Sequence, residues 1–405
     1  MSNTTLFRFR SVYSFLSLFI GLLFLHQTVY SSVTISGGTS AAVLAGNPYT
    51  TLSSAIVALN GGGALTAPVY LDVTSGHTET LVAKITMTIT GTATNPIFIQ
   101  KSGVGANPKL FSYVGTNATP SATADGMFAF VGCDYVTIDG IDLIESTANI
   151  TPTTVMEFGY AFFKTNSING AQNNTIKNCE ISLSRNQNAN WTTTGHTGSI
   201  GILMTNTTNT SNSAISITSI SGTNSYNKFY SNIISNCNSG IAIVGFAAAS
   251  PFTLADIGND IGGSSSNTGN SIFNFGGAPS ATNISSGVFV TNQMDLNCSN
   301  NTIENNTGTG VNHTNILRGI TISGSIAANG NVNDNSIQIK GSGTTTEVAG
   351  ISSITTGTTS SIILNINHND ISGQYLTATT GYFYGIYVSG TNTLNIINDS
   401  IHDIN

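Results

Sequence analysis

A short phrase built as Asn-x-Ile-x-Asn, or a near variant, returns along this chain at long and fairly even intervals. It reads Asn174-Thr175-Ile176-Lys177-Asn178, Asn232-Ile233-Ile234-Ser235-Asn236, Asn270-Ser271-Ile272-Phe273-Asn274 and Asn301-Thr302-Ile303-Glu304-Asn305. Asn369-Asp370-Ile371-Ser372-Gly373 and Asp399-Ser400-Ile401-His402-Asp403 continue the series, with a weaker copy around Ile337 and an early one at Val136-Thr137-Ile138-Asp139-Gly140. From Ile234 onward the central Ile advances by 38, 31, 34, 34 and 30 residues. That period belongs to solenoids and repeat arrays.

A second phrase interleaves with the first. Gly240-Ile241-Ala242-Ile243, Gly287-Val288-Phe289-Val290, Gly319-Ile320-Thr321-Ile322 and Gly385-Ile386-Tyr387-Val388 alternate apolar residues after a glycine. Period-two alternation marks a strand with one buried face. Each repeat thus offers two short strands, with a Ser/Thr/Gly-rich stretch for a third side. Strands this short cannot close a core within one repeat. Stacking successive coils at about 4.8 Å, paired in parallel, does close it. Ile points inward, and Asn suits the corners because it tolerates left-handed backbone and its amides can form ladders. The spacing predicts that Asn174, Asn232, Asn270, Asn301 and Asn369 occupy equivalent corners, each with the Ile two residues on in one buried column.

Composition removes the competing classes. Only 7% of the 405 residues are charged, and 47 are Asn. The formal charge is −7, and setting aside Arg8 and Arg10 leaves nine basic against 18 acidic residues. No basic footprint for a nucleic-acid partner is present. Regularly spaced Ile, Val and Phe argue against disorder, and long helical patterns are missing. The expectation is an all-β protein.

Residues 1–31 read as a secretory signal: Arg8 and Arg10 precede the apolar run from Val12 to Leu25, and Val29-Tyr30-Ser31 offers a cleavage site. The run is shorter than the roughly 20 residues of a membrane span. The mature chain is expected to be secreted or held at the cell surface, with no transmembrane span. Cys133, Cys179, Cys237 and Cys298 match no zinc spacing and read as buried apolar side chains. Cys179 and Cys237 share an offset after Asn178 and Asn236, so adjacent coils would bring them within disulfide reach or stack them as thiols. Thr50 or Thr51 can cap a helix whose Leu52, Ala55, Ile56 and Leu59 share one face, ended by Gly61-Gly62-Gly63. Strand-like runs follow at Val69–Val73, Leu81–Thr90 and Pro96–Gln100. The helix would cover the open end of the stack. The organisation expected is signal 1–31, cap and first coils 32–130, and repeats 131–405.

Tyr49-Thr50-Thr51-Leu52-Ser53-Ser54-Ala55-Ile56, Thr78-Glu79-Thr80-Leu81, Asn95-Pro96-Ile97 and Tyr135-Val136-Thr137-Ile138-Asp139-Gly140 resemble secreted right-handed parallel β-helix proteins of the pectin-lyase-like superfamily. The resemblance is nearest to large bacterial surface repeat proteins exported by type IX secretion, and it covers nearly all of the chain after the signal. It implies a right-handed parallel β-helix with a short N-terminal capping helix. No sorting domain of the kind those proteins carry is recognised.

The superfamily includes polysaccharide lyases, hydrolases and esterases, so the resemblance raises their chemistry for this chain. Polygalacturonase-like enzymes use an adjacent Asp pair, which this chain lacks; Gly76-His77-Thr78 and Gly195-His196-Thr197 only partly resemble their Gly-His-Gly phrase. Arg185 and Arg318, the only arginines after the signal, lie in no lyase-like Arg phrase. Asp134, Asp139, Asp142 and Glu145 form the densest acidic group. With Val136, Ile138, Ile141 and Leu143 inward, the Gly140 turn would aim Asp139 and Asp142 outward, as a Ca²⁺ site, a hydrolytic carboxylate pair or a solvated turn. No other cofactor is implied. Glu157, before Phe158-Gly159-Tyr160-Ala161-Phe162-Phe163, reads as a desolvated acid or as part of the core. His77, His196, His313, His368 and His402 form no metal-ligand spacing and read as surface or loop residues. Trp191, Tyr382 and Tyr384 are candidate sugar-stacking residues, with loop packing as the alternative.

Two functions compete. The favoured one is a non-catalytic extracellular or cell-surface protein, adhesin-like or glycan- and matrix-binding, with polysaccharide or surface glycan as partner. The other is a polysaccharide lyase or glycoside hydrolase. Asp399–Asn405 repeats the Ile phrase in mid-coil with nothing after it to act as a cap. Continuation of the chain, or a partner covering the last coil, is therefore expected.

Overall fold

The computed structural model describes residues 32–116, 125–185, 199–277, 284–305, 313–342, 346–356, 363–375, 380–390 and 393–404. The expected signal, Trp191 and His196 lie outside them. The described chain is a right-handed parallel β-helix. Its strands gather into three sheets of 11, 10 and 10 strands among the described residues, each coil passing through the sheets in turn.

Inward side chains stack in register from coil to coil. In the first sheet Ile138 pairs with Ile176, which pairs with Phe229. In the second, Ile234, Ile272 and Ile303 lie in one line, continuing to Ile337 and Ile371. The third sheet carries the glycine phrase, where the stack is thinnest. A methyl on Gly240 would stand 2.5 Å from Ile272 Cγ2 and 2.6 Å from the Gly287 carbonyl oxygen, so only glycine fits. Gly159, Gly201, Gly287, Gly319, Gly350 and Gly385 are pinched in the same way against the Ile column of the second sheet.

At the N-terminal end, Val33–Gly37 runs antiparallel along Val69–Thr74 and covers the edge of the first sheet. The helix Leu52–Asn60 forms as expected, with Leu52, Ala55, Ile56 and Leu59 buried and Thr51 accepting from Ser54 N. A buried carboxylate adds a second cap: Glu79 Oε2 accepts from Leu52 N at 2.8 Å. The expected run Leu81–Thr90 is not one strand. Only Ile85–Met87 is extended in the third sheet, because the chain turns a corner before it.

The asparagines stack in two ladders rather than one. Asn232, Asn270, Asn301 and Asn369 line the entrance to the second sheet, joined by Asn335 from the weak copy. Asn270 shows the pattern: its Nδ2 donates to Asn301 Oδ1 (2.9 Å) and to Phe229 O in the preceding coil (2.8 Å). Its Oδ1 accepts from the Asn232 backbone N–H (3.1 Å) and Nδ2 (3.0 Å). Every donor and acceptor of a buried amide is used, so burial costs it nothing in unmade bonds. Asn174 departs from the expected corner. It stands at the entrance to the first sheet, with Ile176 in that sheet, and donates to Asn227 Oδ1 from N and Nδ2 at 3.0 Å each. Asn227 continues to Asn259.

Most ladder residues follow a residue in left-handed backbone: Asn173 (φ 57°) and Tyr226 (60°) at one corner, Ser231 (53°), Asn300 (62°) and His368 (56°) at the other, whereas Gly269 before Asn270 is extended (φ −60°). The turn and the ladder are therefore separate duties on adjacent residues. The same distinction corrects the cysteine expectation. Cys179 occupies a ladder position, its N–H donating to Asn232 Oδ1, whereas Cys237 follows the strand Ile233–Ser235 at the exit from the second sheet. They do not stack, and all four cysteines are free and buried. Burial pushes the Cys133 and Cys179 thiols up to about 12, so they stay protonated.

Candidate functional site

The outward residues of the third sheet change character along the stack. In Gly126–Val131, Phe158–Lys164, Ile200–Thr208 and Ser239–Val244 both faces are buried almost throughout. Ala129, Val131, Phe158, Leu203, Ala242 and Phe289 belong to an apolar cluster separate from the interior of the helix. Glu157, which opens this aromatic run, is 2% exposed.

A charged group lies at the margin of that cluster. The Lys84 ammonium stands 5.4 Å from the centroid of the Phe158 ring. Burial lowers its pKa, opposed by the negative charges of Asp125 and Glu157. Tyr113 donates its hydroxyl to Asp125 Oδ1 (3.3 Å), and Thr116 N donates to Asp125 Oδ2 (2.6 Å). Burial, then the Asp125 charge, raises the Tyr113 phenol well above its usual range. One Lys, one Tyr and two carboxylates thus converge in residues far apart in the sequence.

The acidic group Asp134, Asp139, Asp142 and Glu145 does not converge. Asp139 lies on the outside of the first sheet, 3.0 Å from Lys177 Nζ and 2.6 Å from the Asn178 amide. Asp142 is 3% exposed rather than outward, because its Oδ1 accepts from Asn107 Nδ2 (2.9 Å) and Glu180 N (2.8 Å) at the corner. These oxygens are occupied by donors of the chain itself. Among the described residues no three His, Cys, Asp or Glu side chains are grouped to hold a metal. Burial raises Asp134 to about 6 and Glu145 to about 7. Glu145 nonetheless ties three segments together, accepting from Asn149 Nδ2 (2.8 Å), Met156 N (2.9 Å) and Ser184 N (3.1 Å).

His77 and His313 lie between strands, as the loop expectation has it, but are buried at 2% and 1% rather than at the surface. His313 is held by Gly277 N and faces Ile316 O, which a loop histidine achieves by replacing missing strand partners.

Farther along, the outer face of the third sheet turns polar. The column that holds Phe158 and Ile200 continues through Ser239 to Arg318, Ala349 and Tyr384. Arg318 Nε donates to Glu347 Oε1 at 2.7 Å, a largely buried pair that neutralises its charge. Ser286 and Thr321 hydroxyls meet at 2.9 Å. Tyr382, Tyr384 and Tyr387 stand on the strand Tyr382–Ser389, with ring centroids 6.1 and 5.0 Å apart in sequence order. Tyr382 is 66% exposed, while Phe383 between them packs inward on the core. The structure thus brings the two predicted tyrosines together and adds Tyr387. The added ring escaped the sequence reading because Gly385 shifts the alternation, so residues 382, 384 and 387 share a side.

No family model matches the chain, and no curated protein is significantly similar to it. Solved structures with a similar course include an alginate lyase from Paenibacillus sp. (13% identity, 83% of this chain and 97% of that one, TM-score 0.33). Others are a lacto-N-biosidase from Eubacterium ramulus (12%, 86% and 64%, 0.41) and the Streptococcus pneumoniae surface protein and adhesin PfbA (10%, 85% and 95%, 0.41). At these identities the likeness concerns the fold, which the strand pairings above establish independently.

Proposed function

We propose that this chain is a non-catalytic extracellular or cell-surface β-helix protein that binds glycans, with residues 1–31 as its export signal. The observation that carries this reading is the tyrosine row at 382, 384 and 387. Tyrosine presents an apolar ring and a polar tip, suited to the carbon face and the hydroxyls of a sugar. The neighbouring Arg318 is already neutralised by Glu347, which favours an uncharged partner over an anionic polymer. A panel of polysaccharides assayed for both binding and cleavage tests it. Binding without product, weakened at least tenfold in Tyr382→Ala/Tyr384→Ala, is expected. Product formation with no tyrosine dependence overturns it.

One observation favours a second reading, a polysaccharide lyase or glycoside hydrolase: the convergence of Lys84, Tyr113, Asp125 and Glu157. A desolvated Lys is a plausible general base and a Tyr a general acid. Unsaturated products from a uronate polymer, abolished by Lys84→Met, would establish it. The fold alone serves both classes.

A further inference from the structure

The coil between Cys179 and Asn232 is 53 residues long, and part of its length leaves the third sheet after Thr208. The returning segment meets the end of the next strand and forms a cleft of about 240 Å³. Thr205, Asn206, Thr207, Ile215, Phe246 and Asn292 are the lining residues that matter. Asn206 is 4% exposed. Its Nδ2 donates to Ile215 O (2.9 Å), and Ile215 N donates back to Asn206 O (3.0 Å), which fixes the orientation of the amide. Asn206 Oδ1 is then left buried with no partner. No donor of the described chain reaches that acceptor, and a hydroxyl brought into the cleft could supply one. Thr205 and Thr207 add buried hydroxyls 3.4 Å apart. Phe246, Val244 and Ile215 supply apolar wall, and among the described residues no charged side chain lines the cleft.

The required ligand is small, uncharged, rich in hydroxyl donors and apolar on one face. We propose that this cleft is a subsite for one neutral sugar ring, with Asn206 Oδ1 accepting from a ring hydroxyl and Phe246 against the carbon face. At roughly 30 Å³ per water the volume equals about eight waters, the scale of a ring and not of a chain. This inference rests on the glycan-binding reading but names a place remote in sequence from the tyrosine row.

The test is titration of the full chain, by calorimetry or ligand-observed NMR, with methyl glycosides of glucose, galactose and mannose, and with methyl glucuronide. At least one neutral glycoside should bind, with the glucuronide at least tenfold weaker. Asn206→Ala should lower the affinity at least tenfold. Because that change also removes the bond to Ile215, Ala214→Trp is the second variant. Ala214 is exposed at the rim, so tryptophan there should close the mouth, abolish ring binding and leave the melting temperature unchanged. Ring binding that survives Ala214→Trp overturns the proposal, as does equal binding of the glucuronide. Polysaccharide binding without any single-ring binding overturns the cleft and spares the tyrosine row. Absence of both removes the glycan reading itself.

Discussion

The third sheet is built twice over on one plan, and its two halves differ in the chemistry of their outer faces, apolar in the earlier and polar in the later. Both halves stack inward aliphatic residues and the same pinched glycines. In the earlier half the outward residues Phe158, Ala161, Leu203 and Ala242 are sealed from solvent. In the later half the same columns carry Ser286, Arg318, Thr321, Ser352, Tyr384 and Tyr387. Coil length changes with them: 53 residues separate Cys179 from Asn232, but only 34, 34 and 30 separate Asn301, Asn335, Asn369 and Asp399. A coil with residues to spare can fold its excess over the sheet, so apolar outer residues gain by burial. Where the coils are shorter the same face is polar yet still covered, with Ser286, Thr321 and Ser352 at 0–1% exposure, and among the described strands only Tyr382–Ser389 opens to solvent along its length. The inward columns suffice to hold the stack, and the outward ones are free to serve as cover or as surface.

The largest effect should come from the sealed half. Phe158→Ala should cost about 3–5 kcal/mol in denaturant unfolding, as for a core position. A loss below about 1 kcal/mol would mean that the outer cluster adds no stability and the contrast fails. Next, Asn270→Ala should cost roughly 3 kcal/mol, since partners on both sides lose their bonds at about 1–3 kcal/mol each. The same change at Asn365, in the exterior ladder with Asn331 (3.0 Å) and Asn395 (2.9 Å), should cost under about 0.5 kcal/mol. Equal losses would show that amide stacking matters irrespective of burial.

Two pH effects sharpen the comparison further. Burial raises Glu145 in the earlier half from 4.5 to about 7, so the folded state binds its proton more tightly than the unfolded chain. Its stabilising contribution is complete below about pH 4.5 and is lost as pH rises to about 7. Glu145→Gln should flatten that slope in urea midpoints measured across pH 4–8. In the later half, His402 is exposed between Asp403 (2.9 Å) and Asp370 (2.7 Å), and hydrogen bonds to the two carboxylates raise its pKa above 6.5. Its contribution is complete below 6.5 and fades as pH rises through the raised value. Hydrogen-exchange protection in Ser400–Ile404, corrected for the intrinsic base-catalysed rate, should fall over that range, and His402→Gln should remove that fall. A small effect is expected at Tyr384→Ala too, under about 1 kcal/mol in stability, its consequence falling on glycan affinity instead. A loss as large as that of Phe158→Ala would place the tyrosines among the packing residues.

The phrase Asn-x-Ile was sufficient to read a stacked parallel coil because burying a short strand admits few periodic solutions. It was insufficient to tell two corners apart. Both entrances use one local unit, a left-handed residue followed by a ladder amide and an inward aliphatic, so Asn174 and Asn232 look alike while standing in different ladders. Cys179 and Cys237 misled for the same reason: each follows a left-handed Asn, one before the second sheet and one after it.

Local chemistry within a few residues was thus determined by the sequence itself: the helix with its apolar face Leu52, Ala55, Ile56 and Leu59, the alternating strands, and the glycines where no side chain fits. Tertiary structure decided everything that depends on which coil lies next to which. It buried His77, set His313 and Asp142 against donors from other coils, and gathered Lys84, Tyr113, Asp125 and Glu157 across four segments. It also closed a cleft from residues 205–207, 246 and 292. Those distances arise from the stacking offset between coils of unequal length, and no local pattern encodes an offset.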